Sequence, residues 1–118
     1  MGASFKDLIV WQRALQLSTE IYRLSSSFPR SEQFGLTNQM RRASVSIASN
    51  IAEGYGRSTK GEYLQFLGFA RGSNCELQTQ LMIAGALGFG EEKGRMSAEG
   101  LSADVSRLLN ALINKLRQ

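Results

Sequence analysis

The sequence predicts an all-α protein, in which four helices form an antiparallel up-down-up-down bundle within a single domain of 118 residues. Apolar residues recur every three or four positions through almost the whole chain, which is typical of amphipathic helices. The segments between these stretches are short enough to join antiparallel neighbours. The alternation of period two that marks a strand never extends beyond a few residues. We therefore expect helices at about residues 7–28, 32–55, 60–87 and 98–117.

The first predicted helix, residues 7–28, has a wide apolar side. Trp11 and Leu15 flank its core stripe, and so wide an arc is typical of a helix inside a bundle. Asp7 is a candidate N-cap. Pro29 favours an extended conformation at the preceding residue, so the helix ends there. The core stripe consists of Val10, Ala14, Leu17, Ile21, Leu24 and Phe28.

The second predicted helix, residues 32–55, is covered by apolar or small residues on most of its circumference. It is therefore expected to contact neighbours on most sides, inside the bundle or in another subunit. An antiparallel third helix brings Ala48 level with Gly68, and Ser44 level with Gly72. These small residues indicate either an unusually close helix contact or a kink of the third helix at its glycines.

Residues 54–58 form the turn to the third helix, residues 60–87, where Thr59 and Glu62 have the spacing of a capping box. Residues 88–96 are Gly-rich and charged, which predicts the one long loop of the chain. Ser97 or Ser102 is then the expected cap of the last helix. Its expected apolar stripe is wide and consists of Leu101, Val105, Leu108, Leu112 and Leu116, with Leu109 and Ile113 alongside.

Positive charge is concentrated in the first half of the chain. Basic side chains outnumber acidic ones by 14 to 10, and the whole excess of +4 lies in residues 1–60, which hold eight basic and four acidic side chains. Such a one-sided balance favours a polyanionic partner, although the same charge also serves solubility alone. The basic side chains expected to contact nucleic acid are Arg13, Arg23, Arg42, Arg57 and Lys60.

The sequence contains few of the residue types that catalytic sites and metal sites need. The sequence has no histidine, which removes His-based metal sites and the common catalytic triads. Its single cysteine, Cys75, lies beside Glu76 and is expected to be a buried structural thiol in a reducing cytosol. We expect no catalytic residue, metal or cofactor. The amino terminus lacks the layout of a signal peptide and no segment is a membrane span, which predicts a cytoplasmic protein without membrane contact.

A set of polar residues on the second and third helices is expected to hold the two helices in register. Arg41 and Arg42 come level with Ser73 and lie one turn from Glu76. One arginine is expected to pair with Glu76 while the other is solvated. Contact of these arginines with a ligand is the alternative. The expected network comprises Arg41, Asn50, Glu53, Ser73 and Glu76.

The order of several motifs resembles a known family. The run FPRSEQFGLTNQMRRASVSIASNIAEGYGR is preceded by FKDLIVWQRALQLSTEIY and followed by EYLQFLGFARGSNCELQTQLMIAGALGF. Together they resemble the four-helix-bundle proteins encoded by intervening sequences in bacterial 23S rRNA genes. The resemblance implies a homopentameric ring. It also implies distant kinship to the accessory protein of diversity-generating retroelements, which binds nucleic acid and a reverse transcriptase. The motif positions are Glu32, Gln39, Arg42, Asn50, Glu53, Gly54, Ser73 and Glu76.

Sequence and resemblance together predict a non-enzymatic, cytoplasmic, oligomeric bundle that binds RNA or DNA with low specificity. Self-association, as the pentamer that the resemblance implies, multiplies the modest charge of each chain. A reverse-transcriptase-like protein is a further expected partner by resemblance. The alternative function is a homo-oligomeric protein–protein scaffold that binds no nucleic acid.

Overall fold

Four antiparallel α-helices build the computed structural model, which describes residues 3–118. The helices are α1 (Ile9–Ser25), α2 (Leu36–Tyr55), α3 (Lys60–Leu87) and α4 (Glu92–Arg117), and the described residues contain no strand. Short 3-10 turns at Phe5–Asp7 and Arg30–Glu32 precede α1 and α2. Each helix packs against the helices before and after it, and α4 closes the bundle against α1. The predicted fold class is confirmed.

The buried core follows the predicted stripe of the first helix, and on the last helix it includes the middle of the wide predicted stripe. All six residues of the first stripe are buried. Of the stripe predicted for α4, Val105, Leu109 and Ile113 are buried, whereas Leu101, Leu108, Leu112 and Leu116 are partly buried against the core. Ala98 and Ser102 are buried as well, although the predicted stripe did not include them. Their small side chains carry little of the apolar pattern from which the stripe was predicted.

Both α1 and α2 begin later than predicted, because a 3-10 turn precedes each of them. The Asp7 carboxylate accepts a hydrogen bond from the Ser4 amide at 3.1 Å and so caps the 3-10 turn rather than α1. The Glu32 carboxylate accepts one from the Leu36 amide at 3.0 Å, at the first residue of α2. A Cβ at Gly35 would lie 2.9 Å from the Glu32 Oε1 atom, so the glycine leaves room for this contact.

The last helix begins at Glu92, six residues before the expected position, and the predicted long loop shrinks to residues 88–91. Gly88 and Gly90 adopt positive φ angles of 73° and 76°, which turn the chain within four residues. The Arg95 guanidinium then donates to the Phe89 and Gly90 carbonyl oxygens at 2.8 and 2.6 Å. Neither Ser97 nor Ser102 is a cap, because both lie inside α4.

The small residues of α2 do not face the glycines of α3. The Ser44 hydroxyl lies 3.1 Å from the Ser18 hydroxyl of α1. No atom of the described residues outside the local helix lies within 4 Å of a Cβ built at Gly68 or Gly72. The expected close contact through these two glycines is therefore wrong. A close approach of α2 and α3 occurs instead at Gly54, where a Cβ would lie 2.7 Å from the Phe66 Cβ atom.

Two further expectations are tested by the fold. The Cys75 side chain is exposed, not buried, because it lies on the outer face of α3. The Thr59 hydroxyl accepts a hydrogen bond from the Glu62 amide at 3.1 Å, which confirms the Thr59 half of the predicted capping box, whereas the reciprocal bond to the Glu62 side chain is absent among the described residues. Across residues 3–118, no helix has the length and apolar character needed to cross a membrane.

Candidate functional site

The surface along which α2 and α3 meet carries most of the polar residues that the sequence singled out. On α3, Phe69, Ser73 and Glu76 recur at spacings of four and three, which places them on one face of the helix. The Ser73 hydroxyl lies 2.9 Å from that of Ser46 on α2, so this face is turned toward α2. We call the surface that runs from Arg57 past these residues to Gln39 the α2–α3 groove.

A polar pocket of about 350 Å³ lies toward the Gln39 end of the groove. We call it the Arg42–Glu76 pocket. Arg42 and Glu76 are both exposed, and within residues 3–118 neither forms an ion pair within 4.0 Å. The expected ion pair between Glu76 and an arginine of α2 is thus absent. The pocket is lined by Asn38, Gln39, Arg42, Ala43, Ser46, Ser73 and Glu76.

The floor of this pocket is held by a chain of hydrogen bonds. The Asn50 amide nitrogen donates to the Ser46 carbonyl oxygen at 2.8 Å and to the Ser46 hydroxyl oxygen at 2.9 Å. The Ser46 hydroxyl in turn contacts that of Ser73. Because each group is fixed by its neighbour, the floor is rigid while the two charged side chains remain available.

Aromatic side chains line the other half of the groove. The Arg57 guanidinium lies over the Phe66 ring, 4.5 Å from its centroid, and is also paired with Glu53 at 3.0 Å. The Phe66 and Phe69 rings meet edge to face, with centroids 5.5 Å apart, and Phe69 is 49% exposed. From the sequence, no role in binding was predicted for either phenylalanine. The available signal was that Phe69 does not share the helix face of the apolar positions of α3 that are buried, which are Leu67, Ala70, Leu77, Leu81 and Ala84.

One buried acceptor extends the polar row beneath the surface. Gln80 lies one helical turn beyond Glu76 and is only 5% exposed. Its Oε1 atom has no hydrogen-bond partner among the described residues. Buried polar atoms are usually paired, so this part of α3 is less completely satisfied than the floor of the pocket.

Arg41 does not join the predicted network. Its Nε atom donates to the Ser25 hydroxyl at 2.8 Å, and its Nη2 atom donates to the Tyr22 carbonyl oxygen at 3.3 Å. The guanidinium also lies 4.6 Å from the Tyr22 ring centroid. Arg41 therefore fastens α2 to the end of α1, on the side of α2 away from α3. Of the network, only Asn50 and Ser73 share one chain of hydrogen bonds, while Glu53 is paired with Arg57.

The five predicted nucleic-acid contacts do not form one patch. Arg42 and Arg57 lie along the α2–α3 groove, and Lys60 begins α3 at the same end as Arg57. Arg13 and Arg23 lie on α1, the helix diagonally opposite α3. Arg23 is paired with Glu20 at 3.6 Å, and the Arg13 guanidinium donates to Gln16 at 3.5 Å. The two arginines of α1 therefore belong to another surface.

The excess positive charge gathers at one end of the bundle. We call the end where α1 and α3 begin and α2 and α4 end the basic end. It carries six basic and three acidic side chains, a balance of +3 out of the total of +4. The basic members are Lys6, Arg13, Arg57, Lys60, Lys115 and Arg117, and the acidic members are Asp7, Glu53 and Glu62.

Other concavities and residue clusters offer less chemistry. A concavity of about 390 Å³ between the end of α1 and the start of α4 has balanced charges, since Glu20, Arg23, Glu91 and Lys93 all line it. In the part of the chain that the structure describes, no three aspartate, glutamate or cysteine side chains lie close enough to hold a metal ion. The α2–α3 groove is therefore the candidate functional site.

Comparison with known proteins agrees with this architecture. A protein of unknown function from the S23 ribosomal protein family of Bacteroides thetaiotaomicron VPI-5482 has a similar fold. Its crystal structure matches with a TM-score of 0.83 and 21% identity, over 92% of this chain and 98% of that chain. No curated protein matches the sequence. The sequence model of the family described as 23S rRNA-intervening sequence protein matches residues 6–111, and the chain therefore belongs to that family.

Proposed function

We propose that this protein is a non-enzymatic oligomer that binds single-stranded RNA or DNA along the α2–α3 groove. The observation that carries the proposal is the row formed by Arg57, Phe66 and Phe69, which continues to Arg42. Proteins that bind single strands combine basic side chains for phosphates with aromatic rings on which bases stack. The description of the family names no enzymatic activity.

Electrostatics favours entry of a strand from the basic end. Arg57 and Lys60 lie there, and the balance of +3 attracts phosphates without regard to sequence. Because this attraction depends on released counterions, binding should weaken steeply as salt rises. In a ring of about five chains, as the resemblance implies, the charge of one particle would reach about +20.

The surface proposed for self-association lies between α1 and α2, on the other side of α2. An apolar cleft of about 300 Å³ is lined there by Trp11, Leu15, Val45, Ala48 and Ala52, together with Ser18 and Ser49. Leu15 and Val45 are 48% and 43% exposed in the single chain. A second copy is the proposed occupant. Its binding would leave the α2–α3 groove open.

The test of nucleic-acid binding is fluorescence anisotropy with a labelled single strand and a labelled duplex over a salt series. We expect micromolar or tighter binding of the single strand at low salt, with a slope of about −0.7 per phosphate contacted in a plot of log K against log salt. Lys60→Glu, at the basic end, should weaken binding more than the matched variant Lys93→Glu at the opposite end. Absence of binding at low salt would overturn the proposal.

The alternative function is a homo-oligomeric scaffold, and the apolar cleft between α1 and α2 is the observation that favours it. Light scattering of the wild type and of Val45→Glu separates the two functions. An assembly that dissociates in Val45→Glu, together with a wild type that binds no strand, would support the scaffold. A wild-type mass near 13.0 kDa would contradict self-association in both.

A further inference from the structure

We propose that the Arg42–Glu76 pocket holds a guanine base of the bound strand. The inference rests on the proposed function and adds a preference for one base at one position of an otherwise sequence-independent groove. It starts from an unexpected feature of that groove, which is that the Glu76 carboxylate, beside a path proposed for phosphates, forms no ion pair within residues 3–118.

A carboxylate repels a phosphate backbone, so Glu76 weakens sequence-independent binding unless it accepts hydrogen bonds from the strand. An ion pair with Arg42 would neutralise it, but the structure contains none within 4.0 Å in residues 3–118. The two opposite charges instead face one pocket without joining. This arrangement fits a ligand that presents donors to Glu76 and acceptors to Arg42.

Guanine satisfies both conditions. Its Watson–Crick edge carries two adjacent donors, N1–H and the 2-amino group, which match the two oxygens of a carboxylate. Its Hoogsteen edge carries the O6 and N7 acceptors, which match the fork of an arginine. Adenine, cytosine and uracil each lack the pair of adjacent donors. A pocket that offers one carboxylate and one guanidinium therefore favours guanine.

The surroundings of the two charges suit a planar base. The volume of about 350 Å³ is at the lower end of small-ligand sites. The hydroxyls of Ser46 and Ser73 form a floor that Asn50 holds in place. Glu76 lies seven positions after Phe69 on one face of α3, a rise of about 10 Å. A base stacked on Phe69 and a base in the pocket would thus belong to nearby nucleotides of one strand.

The experiment measures the affinity of labelled twelve-nucleotide uridine strands that carry one central guanine, adenine or cytosine. We expect the guanine strand to bind about five-fold more tightly, or better, than the other strands. In Glu76→Gln this preference should fall, because only the contact of Arg42 with O6 and N7 remains, while affinity for plain uridine strands is kept or rises. The matched variant Glu99→Gln, which removes an exposed carboxylate on α4, should keep the preference.

Two base analogues test the contacts atom by atom. Inosine lacks the 2-amino group, so its strand should bind the wild type more weakly than the guanine strand does. Glu76→Gln should bind the inosine strand and the guanine strand equally well. 7-Deazaguanine lacks the N7 acceptor, so its strand should bind the wild type more weakly than the guanine strand. In Arg42→Met the two strands should bind with the same affinity. Equal binding of all bases by the wild type, or a guanine preference that Glu76→Gln leaves unchanged, would overturn the guanine pocket while leaving the proposed function intact.

A titration with the mononucleotides GMP and UMP identifies the source of the base. Competition by GMP but not by UMP against the guanine strand supports the pocket within a bound strand. If the protein binds GMP but none of the strands, the guanine contacts stand. The bound strand is then not the source of the guanine base, and the proposed function is overturned. The two failures are therefore distinguishable.

Discussion

The Asn74 side chain of α3 and Ser102 of α4 form a reciprocal pair of hydrogen bonds in the core. The Asn74 amide nitrogen donates to the Ser102 carbonyl oxygen at 3.0 Å, and the Ser102 hydroxyl donates to the Asn74 amide oxygen at 2.7 Å. The two residues are 2% and 0% exposed. Because both partners are satisfied only when α3 and α4 are level at this point, the pair fixes the register of the two helices.

Replacement of either side chain should leave a buried polar atom of the other without a hydrogen bond. Asn74→Ala leaves the Ser102 hydroxyl unpaired, and Ser102→Ala leaves the Asn74 amide oxygen unpaired, while the Asn74 amide nitrogen keeps its backbone acceptor. We expect Asn74→Ala and Ser102→Ala each to lower the free energy of unfolding by about 1–3 kcal/mol. The loss in the double variant should be smaller than the sum of the losses in the two single variants, because the second substitution removes a group that is already unpaired. Urea unfolding of the four proteins measures this coupling. Strictly additive losses would show that the two side chains act independently.

The adjacent arginines Arg41 and Arg42 should differ in their effect on stability. Arg41 contacts Ser25 and Tyr22 near the carboxyl-terminal end of α1, where a cation also interacts favourably with the helix dipole. Arg41→Met should therefore lower the free energy of unfolding by about 1–3 kcal/mol. Arg42→Met serves as the matched control and should change it by less than about 0.5 kcal/mol. A larger loss for Arg42→Met would indicate a structural role that its exposed position does not predict.

Glycines of α2 and α3 should respond in opposite ways to the same substitution. In Gly54→Ala the new Cβ would lie 2.7 Å from the Phe66 Cβ and 3.3 Å from the Tyr63 carbonyl oxygen. Since neither atom belongs to the far end of a flexible side chain, we expect a loss of about 1–3 kcal/mol. Gly72→Ala meets open space and should gain about 0.5–1 kcal/mol from helix propensity. Thermal unfolding compares the two, and equal losses would contradict the described packing.

Tyr63 should make stability fall at alkaline pH. Burial, and to a lesser degree the neighbouring Tyr55 hydroxyl, raise the pKa of Tyr63 above its usual value of 10.0. The folded protein thus holds this proton more tightly than the unfolded chain does. Its contribution is fully present below pH 10.0 and is lost as the pH rises through the folded pKa. The free energy of unfolding should therefore decline less steeply above that pH in Tyr63→Phe. Parallel profiles would contradict the raised pKa.

The periodicity of apolar residues was sufficient to predict the four helices and their order, because burial dictates that pattern in any bundle. It missed core positions that small residues occupy. Ala98 and Ser102 carry little hydrophobic signal, so the stripe predicted for α4 did not include them. The start of α4 was missed because Gly94 and the surrounding charges indicate a loop. Arg95, which secures the tight turn, acts through backbone carbonyls that no pattern reveals.

The candidate site was predicted in its members but not in its geometry. The sequence singled out Arg42, Arg57 and Glu76, yet it expected Glu76 to be neutralised by an arginine. The spacing of residues in a helix predicts the height of a residue along the bundle more reliably than it predicts the direction in which a long side chain points. For that reason the turn of Arg41 toward α1 and the alignment of Phe69 with the groove emerged only from the structure.

The most direct test of single-strand binding in the α2–α3 groove compares two exposed apolar residues on opposite faces of α3. Phe69 is 49% exposed in the groove, and Met82 is 71% exposed away from it. The affinity of each alanine variant for a labelled single strand is measured by anisotropy at fixed low salt. We expect Phe69→Ala to weaken binding by about five-fold or more through lost base stacking, and Met82→Ala to leave it unchanged. Equal effects of the two substitutions would contradict a strand bound in this groove.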